Sequence, residues 1–188
     1  MPDWPTANIP ANTRVSAVYG SPLLHCVAEG EAYRVSKRLA RDDGQEFTVH
    51  IDPVSAGGTV HIAAPAIEAE EAADVDVWEN ADPGADTVDD LFVHNMRYDS
   101  GQGSEQPEAT IVRVTDSGLD TTGADKTEET LIQGGGVMAS TGDEDLRGIW
   151  RTIPVGETIS IVVTDRSGGN DNRFSFDTVV YEGEILPD

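Results

Sequence analysis

Between residues 45 and 65, apolar and polar side chains alternate in two runs, parted by a loop that holds Pro53, Ser55, Gly57 and Gly58. In the first run Phe47, Val49 and Ile51 fall on one side, and Thr48, His50 and Asp52 on the other. In the second, Val60, Ile62 and Ala64 oppose Thr59, His61 and Ala63. Such alternation marks a strand with one face in a core. Setting Ile51 against Val60 also sets Val49 against Ile62 and Phe47 against Ala64, so a β-hairpin is predicted. In that register His50 stands beside His61 on the polar face.

The rest of the chain repeats this grammar. Residues 13–19 and 32–37 read as strands, with an apolar run at 23–28 between them. Lys37, Arg38 and Arg41, followed by Asp42 and Asp43, suggest a short exposed helix or a loop over residues 37–44. Residues 66–73, AIEAEEAA, have the propensity for two helical turns. Strands are expected over 75–79, 91–98, 110–115, 146–153, 158–164 and 173–181, with TISIVVT the most β-prone run. Polar or acidic loops are expected over 80–90, 99–107, 116–128 and 165–172. The triple glycine at 134–136 lacks the lysine and spacing of a phosphate loop and reads as a turn or bulge. The expected fold is all-β: an antiparallel β-sandwich of jelly-roll type, roughly ten strands with long acidic loops. Residues 1–12, with three prolines, read as an extended N-terminal arm; residues 13–188 form a single β-sandwich domain.

Charge changes the picture. Asp and Glu number 35 against 12 Lys and Arg, for a net charge of −23, and only Lys37 and Lys126 are lysines. Self-repulsion on that scale becomes short-ranged in about 1 M salt, where the Debye length is roughly 3 Å. Acidic excess with scarce lysine is a halophilic pattern. It argues against nucleic acid and against an anionic membrane as partners. The single cysteine, Cys26, rules out an intramolecular disulfide and is expected to be a small buried hydrophobe. No secretory signal and no transmembrane run is expected.

Candidate chemistry is sparse. His50 and His61 side by side would suit zinc or iron, yet a polar cross-strand pair is the simpler reading. The loop atoms of Asp165, Asn170, Asp171 and Asn172 offer hard oxygens for a structural calcium ion or another cation, although the spacing is not that of an EF-hand. No acyl-transfer motif is present, and no enzyme is expected.

Several segments resemble a family of virion structural proteins from tailed viruses. They are HCVAEGEAYRVS at 25–36, Ala64-Pro65, Asn95-Met96-Arg97, the strand at 109–115, and the closing run from Phe176 to Glu182. The resemblance implies a non-enzymatic, capsid-associated component of a haloarchaeal tailed virus: a turret, fibre base or decoration. It further implies a symmetric homo-oligomer, trimer or pentamer, contacting the major capsid protein or other virion proteins. Such a protein would be assembled in the host cytoplasm and reside in the virion. Trp4 and Ile9, with Arg34, Lys37, Arg38 and Arg41, are then the candidate contacts. The alternatives are a tail or baseplate component, and a glycan-binding β-sandwich that uses Trp78 or Trp150 for host attachment.

Overall fold

The computed structural model describes residues 26–27, 30–97, 106–115, 118–133, 136–138 and 149–182, and within them strands dominate. In chain order these are β1 (Ala32–Arg41), β2 (Glu46–Asp52), β3 (Val60–Ala63), β4 (Ala66–Ala69), β5 (Ala72–Glu79), β6 (Thr87–Val88) and β7 (Phe92–Asn95). They continue with β8 (Thr110–Val114), β9 (Asp125–Gln133), β10 (Gly136–Met138), β11 (Ile149–Ile153), β12 (Ile159–Asp165) and β13 (Asn172–Glu182). Every pairing among them is antiparallel, and they form two sheets.

Sheet A is centred on β13. One side of β13 pairs with β1 along its whole length, and β1 pairs in turn with β7. The other side pairs with β4 near its start and with β3 near its end. Pro65 explains the division, because it has no N–H to give a ladder; β3 and β4 act as one interrupted strand. Beyond them β10 pairs with β4, and β11 with β3. Sheet B runs in the order β6-β8-β2-β12-β5-β9. The two sheets face each other, and their inward rows make one core. Phe47, Val49, Ile51, Ile161 and Val163 come from sheet B; Val35, Ile62, Ile67, Phe174 and Phe176 come from sheet A.

The predicted hairpin does not form. β2 lies in sheet B between β8 and β12, whereas β3 lies in sheet A between β11 and β13. The connection holds a 3-10 helix, Pro53–Ala56, capped by Asp52, whose Oδ1 accepts from Val54 N at 2.8 Å. Gly57 then turns the chain with φ 63°, a conformation that glycine adopts without strain. This bridge crosses between the sheets, so the two apolar rows meet face to face instead of edge to edge. Phe47, Val49, Ile51, Val60 and Ile62 are all fully buried, as the alternation implied.

His50 and His61 are therefore in different sheets. Both are buried, and each bonds a hydroxyl: His50 Nδ1 lies 2.8 Å from Ser160 Oγ, and His61 Nδ1 lies 3.0 Å from Thr152 Oγ1. His50 points away from the inter-sheet core and is covered all the same. Burial lowers its pKa, while the charges of Asp52 and Asp82 oppose that shift. The nearby loop is held in place by paired bonds between the backbones of Asp82 and Asp120.

Three local expectations are also corrected. Residues 66–73 are not helical: they hold β4 and the start of β5, because Ile67, Ala69 and Ala73 are buried by alternation and core burial outweighs propensity. Residues 37–41 continue β1 instead of leaving the sheet. Residues 125–128, assigned to a polar loop, open β9, whose polar composition suits a strand at the sheet's margin. Cys26 is buried, beside Ala32, Ala63 and Tyr181. The arm at 1–12 and the strand at 13–19 lie outside the described residues. Among the described residues no helix is long and apolar enough to cross a membrane.

Candidate functional site

The outer face of sheet A carries the most distinctive surface. Alternation along β1 turns Val35 into the core and Arg34, Ser36 and Arg38 outward. Register then places side chains from four strands in rows. Glu68, Ser175 and Arg38 form one row; Ala66, Asp177, Ser36 and Phe92 form the next; Arg34 stands beside His94. Together with Lys37 and Asp90 at the margin, all of these residues except His94 line an open groove of about 820 Å³.

Two ion pairs fix its walls. Arg34 donates from Nε to Asp177 Oδ2 at 2.8 Å. Lys37 Nζ lies 2.9 Å from Asp90 Oδ2 and also donates to the Asp90 carbonyl at 2.7 Å. Asp90 further accepts two parallel bonds from Arg113, at 2.9 and 3.0 Å. Since Lys37 belongs to β1 and Arg113 to β8, this carboxylate ties sheet A to sheet B along one flank. The bonds from Arg113, with help from Lys37, hold the Asp90 carboxyl down at about 2.

An acid held below its unfolded value stabilises the fold above that value, and the contribution is lost as pH falls through the folded pKa. Stability is therefore expected to decline from about pH 4 to about pH 2 through Asp90. The check is urea unfolding of the protein and of Asp90→Asn across that range. The gap between the two should close on acidification, and a gap that stays constant would refute the assignment.

The four predicted basic contacts do not act alike. Arg34, Lys37 and Arg38 share the groove. Arg41 lies at the end of β1 and donates from Nε to the Glu46 carbonyl at 3.1 Å, outside that lining. Arg34 and Lys37 are bonded to carboxylates, so the face is far less basic than its sequence suggests. Trp4 and Ile9 lie outside the described residues.

The proposed cation loop is organised from within. Asp165 is fully buried; its Oδ1 accepts from Ser167 N at 2.9 Å and from Asn172 Nδ2 at 2.6 Å, and its Oδ2 from Ser167 Oγ at 2.9 Å. Asn170 and Asp171 are exposed at the tip, and Asp171 N donates to Asp42 Oδ1 at 3.2 Å. The structure thus brings Asp165 and Asn172 together and holds Asp171 against the turn after β1. Among the described residues no group of three or more His, Cys, Asp or Glu side chains is arranged to hold a metal ion.

Both candidate tryptophans are half-buried, and a cation lies over each ring. Lys126 Nζ is 5.7 Å from the Trp78 centroid, and the Arg151 guanidinium is 5.1 Å from that of Trp150. Phe92 is different. It is 61% exposed, and its ring lies nearly parallel to that of His94, with an interplanar angle of 19° and centroids 6.0 Å apart. Sequence reasoning missed this pair; the available signal was two rings, two residues apart in a short strand, which puts both on one face. Compared with protein-family models, curated proteins and solved structures, the chain matches none.

Proposed function

We propose that this chain is a non-enzymatic virion structural protein built on a jelly roll. In this reading it is an oligomeric component attached to the capsid of a halophilic tailed virus, as a turret, fibre base or decoration. The observation that carries the reading is strand order. With β3/β4 and β10/β11 each taken as one interrupted strand, β1-β13-β3/β4-β10/β11 faces β2-β12-β5-β9. That order of eight strands supports a jelly roll, an architecture used by viral capsid and lectin domains as well as by cupins. β6, β7 and β8 then form an insertion that widens both sheets on the flank where Asp90 sits. The inter-sheet space is filled by side chains such as Phe47 and Phe176, which supports a structural role over a barrel that encloses a reactive centre.

The opposite flank supplies the means of assembly. There β9 ends sheet B, and its nine residues pair only with β5 among the described strands. β11 of sheet A runs nearby, linked to β9 by an ion pair between Arg151 and Glu128. Leu131 on β9 is 56% exposed and Ile149 on β11 is 41% exposed. An edge strand with open backbone groups and flanking apolar side chains is a surface on which another copy can add. The net charge of −23 would oppose such contact in dilute buffer and much less in molar salt.

Light scattering in molar salt tests the proposal. The chain is expected to run as a trimer or pentamer, and Leu131→Glu combined with Ile149→Glu to reduce it to monomers. A monomer at micromolar concentration without any substitution would sink it.

A further inference from the structure

We propose that the groove on the outer face of sheet A binds a neutral, hydroxyl-rich ligand: a glycan of a few sugar units. Its volume of about 820 Å³ lies within the roughly 300–1,000 Å³ usual for sites that enclose small ligands. Three features of its lining select the chemistry.

The first is the exposed ring of Phe92, which lines the groove and is backed by His94 just outside it. A pyranose ring presents a face of C–H bonds carrying small positive charge, which rests favourably on the negative face of an aromatic ring. Phe92 is largely exposed, and the His94 ring stacked nearly parallel to it holds its orientation. Trp78 and Trp150 already have cations over their rings.

The second is the set of polar groups around it. Sugar hydroxyls both donate and accept, so a site for them needs both kinds of partner at fixed positions. Ser36 and Ser175 supply hydroxyls, and Asp177 is locked in place by Arg34. The side chain of Arg38, exposed in the same row as Ser175, has no hydrogen bond or ion pair among the described residues. Its planar fork of donors is available to a ligand.

The third is charge. Arg34, Lys37 and Arg38 are matched by Glu68, Asp90 and Asp177, so the groove is formally neutral on a chain of net charge −23. Neutrality suits neither a polyanion nor a polycation. A protein partner fits poorly as well, because the centres of protein interfaces are depleted of charged residues, and Phe92 is the one large apolar side chain turned outward here.

The test applies the intact chain, in molar sodium chloride, to an array of neutral and anionic glycans. The dissociation constant of the best neutral oligosaccharide is then measured by titration calorimetry. Neutral glycans are expected to be retained. Phe92→Ala should weaken binding about tenfold or more, and Arg38→Gln several-fold, with both exposed variants still folded by circular dichroism. Affinity should change little as salt is raised further, because neutral contacts are not screened. Any of three results overturns the proposal: no neutral glycan retained, retention of anionic glycans alone with a steep loss in salt, or an unchanged constant in Phe92→Ala. Break-up of an oligomer by Phe92→Ala would mark the groove as an interface instead and overturn it too. The Leu131→Glu, Ile149→Glu variant should keep glycan binding, so failure of the assembly reading leaves this result interpretable; loss of binding in that variant would count against the groove as the site.

Discussion

Replacing Phe47 with alanine is expected to lower unfolding free energy by about 3–5 kcal/mol, the range for deleting a fully buried aromatic ring. Phe47 has no exposed surface, and it meets Phe176 across the sheets edge to face, with centroids 6.0 Å apart. The two rings come from β2 and β13, so the contact joins the sheets at their centre. For a chain of this size each kcal/mol shifts the melting midpoint by roughly 2–4 °C. The drop should therefore be readily visible in a thermal melt. A double-mutant cycle with Phe176→Ala should show coupling of about 0.5–1.5 kcal/mol beyond simple burial. A loss below about 1 kcal/mol for Phe47→Ala would mean that the core collapses around the cavity, and would refute the central role given to this pair.

Asp165→Ala is expected to cost about 2–4 kcal/mol, for a different reason. The carboxylate is completely buried and accepts three hydrogen bonds, from Ser167 N, Ser167 Oγ and Asn172 Nδ2. Truncation leaves those donors without their acceptor, and a buried unpaired donor is costly in a way that a lost apolar contact is not. The damage also spreads. Asn172 Oδ1 accepts from Glu71 N at 2.9 Å, so the same network holds the turn between β4 and β5. Asp165→Asn keeps one acceptor oxygen and should lose less. Guanidinium unfolding of the three proteins checks the order; equal midpoints for all three would remove Asp165 from the account of this loop.

How far these features could be read from sequence depends on which physical rule governs each. Phe47, Val49, Ile51, Val60 and Ile62 were legible as core because alternation alone decides which face is buried. The partner of each strand was not, since rows facing each other across a sandwich alternate in the same way as rows lying side by side. A seven-residue connection with a capped 3-10 helix decided between them, and its crossing path is a matter of three dimensions. The helical reading of 66–73 failed because propensity for Ala and Glu is weak beside the burial of Ile67 and Ala69. At the groove, Arg34, Lys37 and Arg38 could be picked out as a basic cluster. Their partners Asp177 and Asp90 lie 143 and 53 residues away in sequence, so the neutralisation was invisible. Phe92 was hidden for a similar reason, because exposure depends on what other strands leave uncovered.

The placement of β12 and β13 constrains the order in which the molecule can be built. β12 separates β2 from β5 in sheet B, and β13 separates β1 from β3 and β4 in sheet A. Both central strands follow nearly all their neighbours along the chain. A growing polypeptide halted before residue 159 would hold the outer strands of each sheet with a gap in the middle, their inward rows wet and their backbone groups unpaired. Sheet B cannot close until Ile159–Asp165 has been made, and sheet A cannot close until Asn172–Glu182 has been threaded between strands synthesised more than a hundred residues earlier. Folding must therefore wait on long loop closures, which are slow, and acidic self-repulsion among those waiting strands would help keep neighbouring chains from filling the gap first.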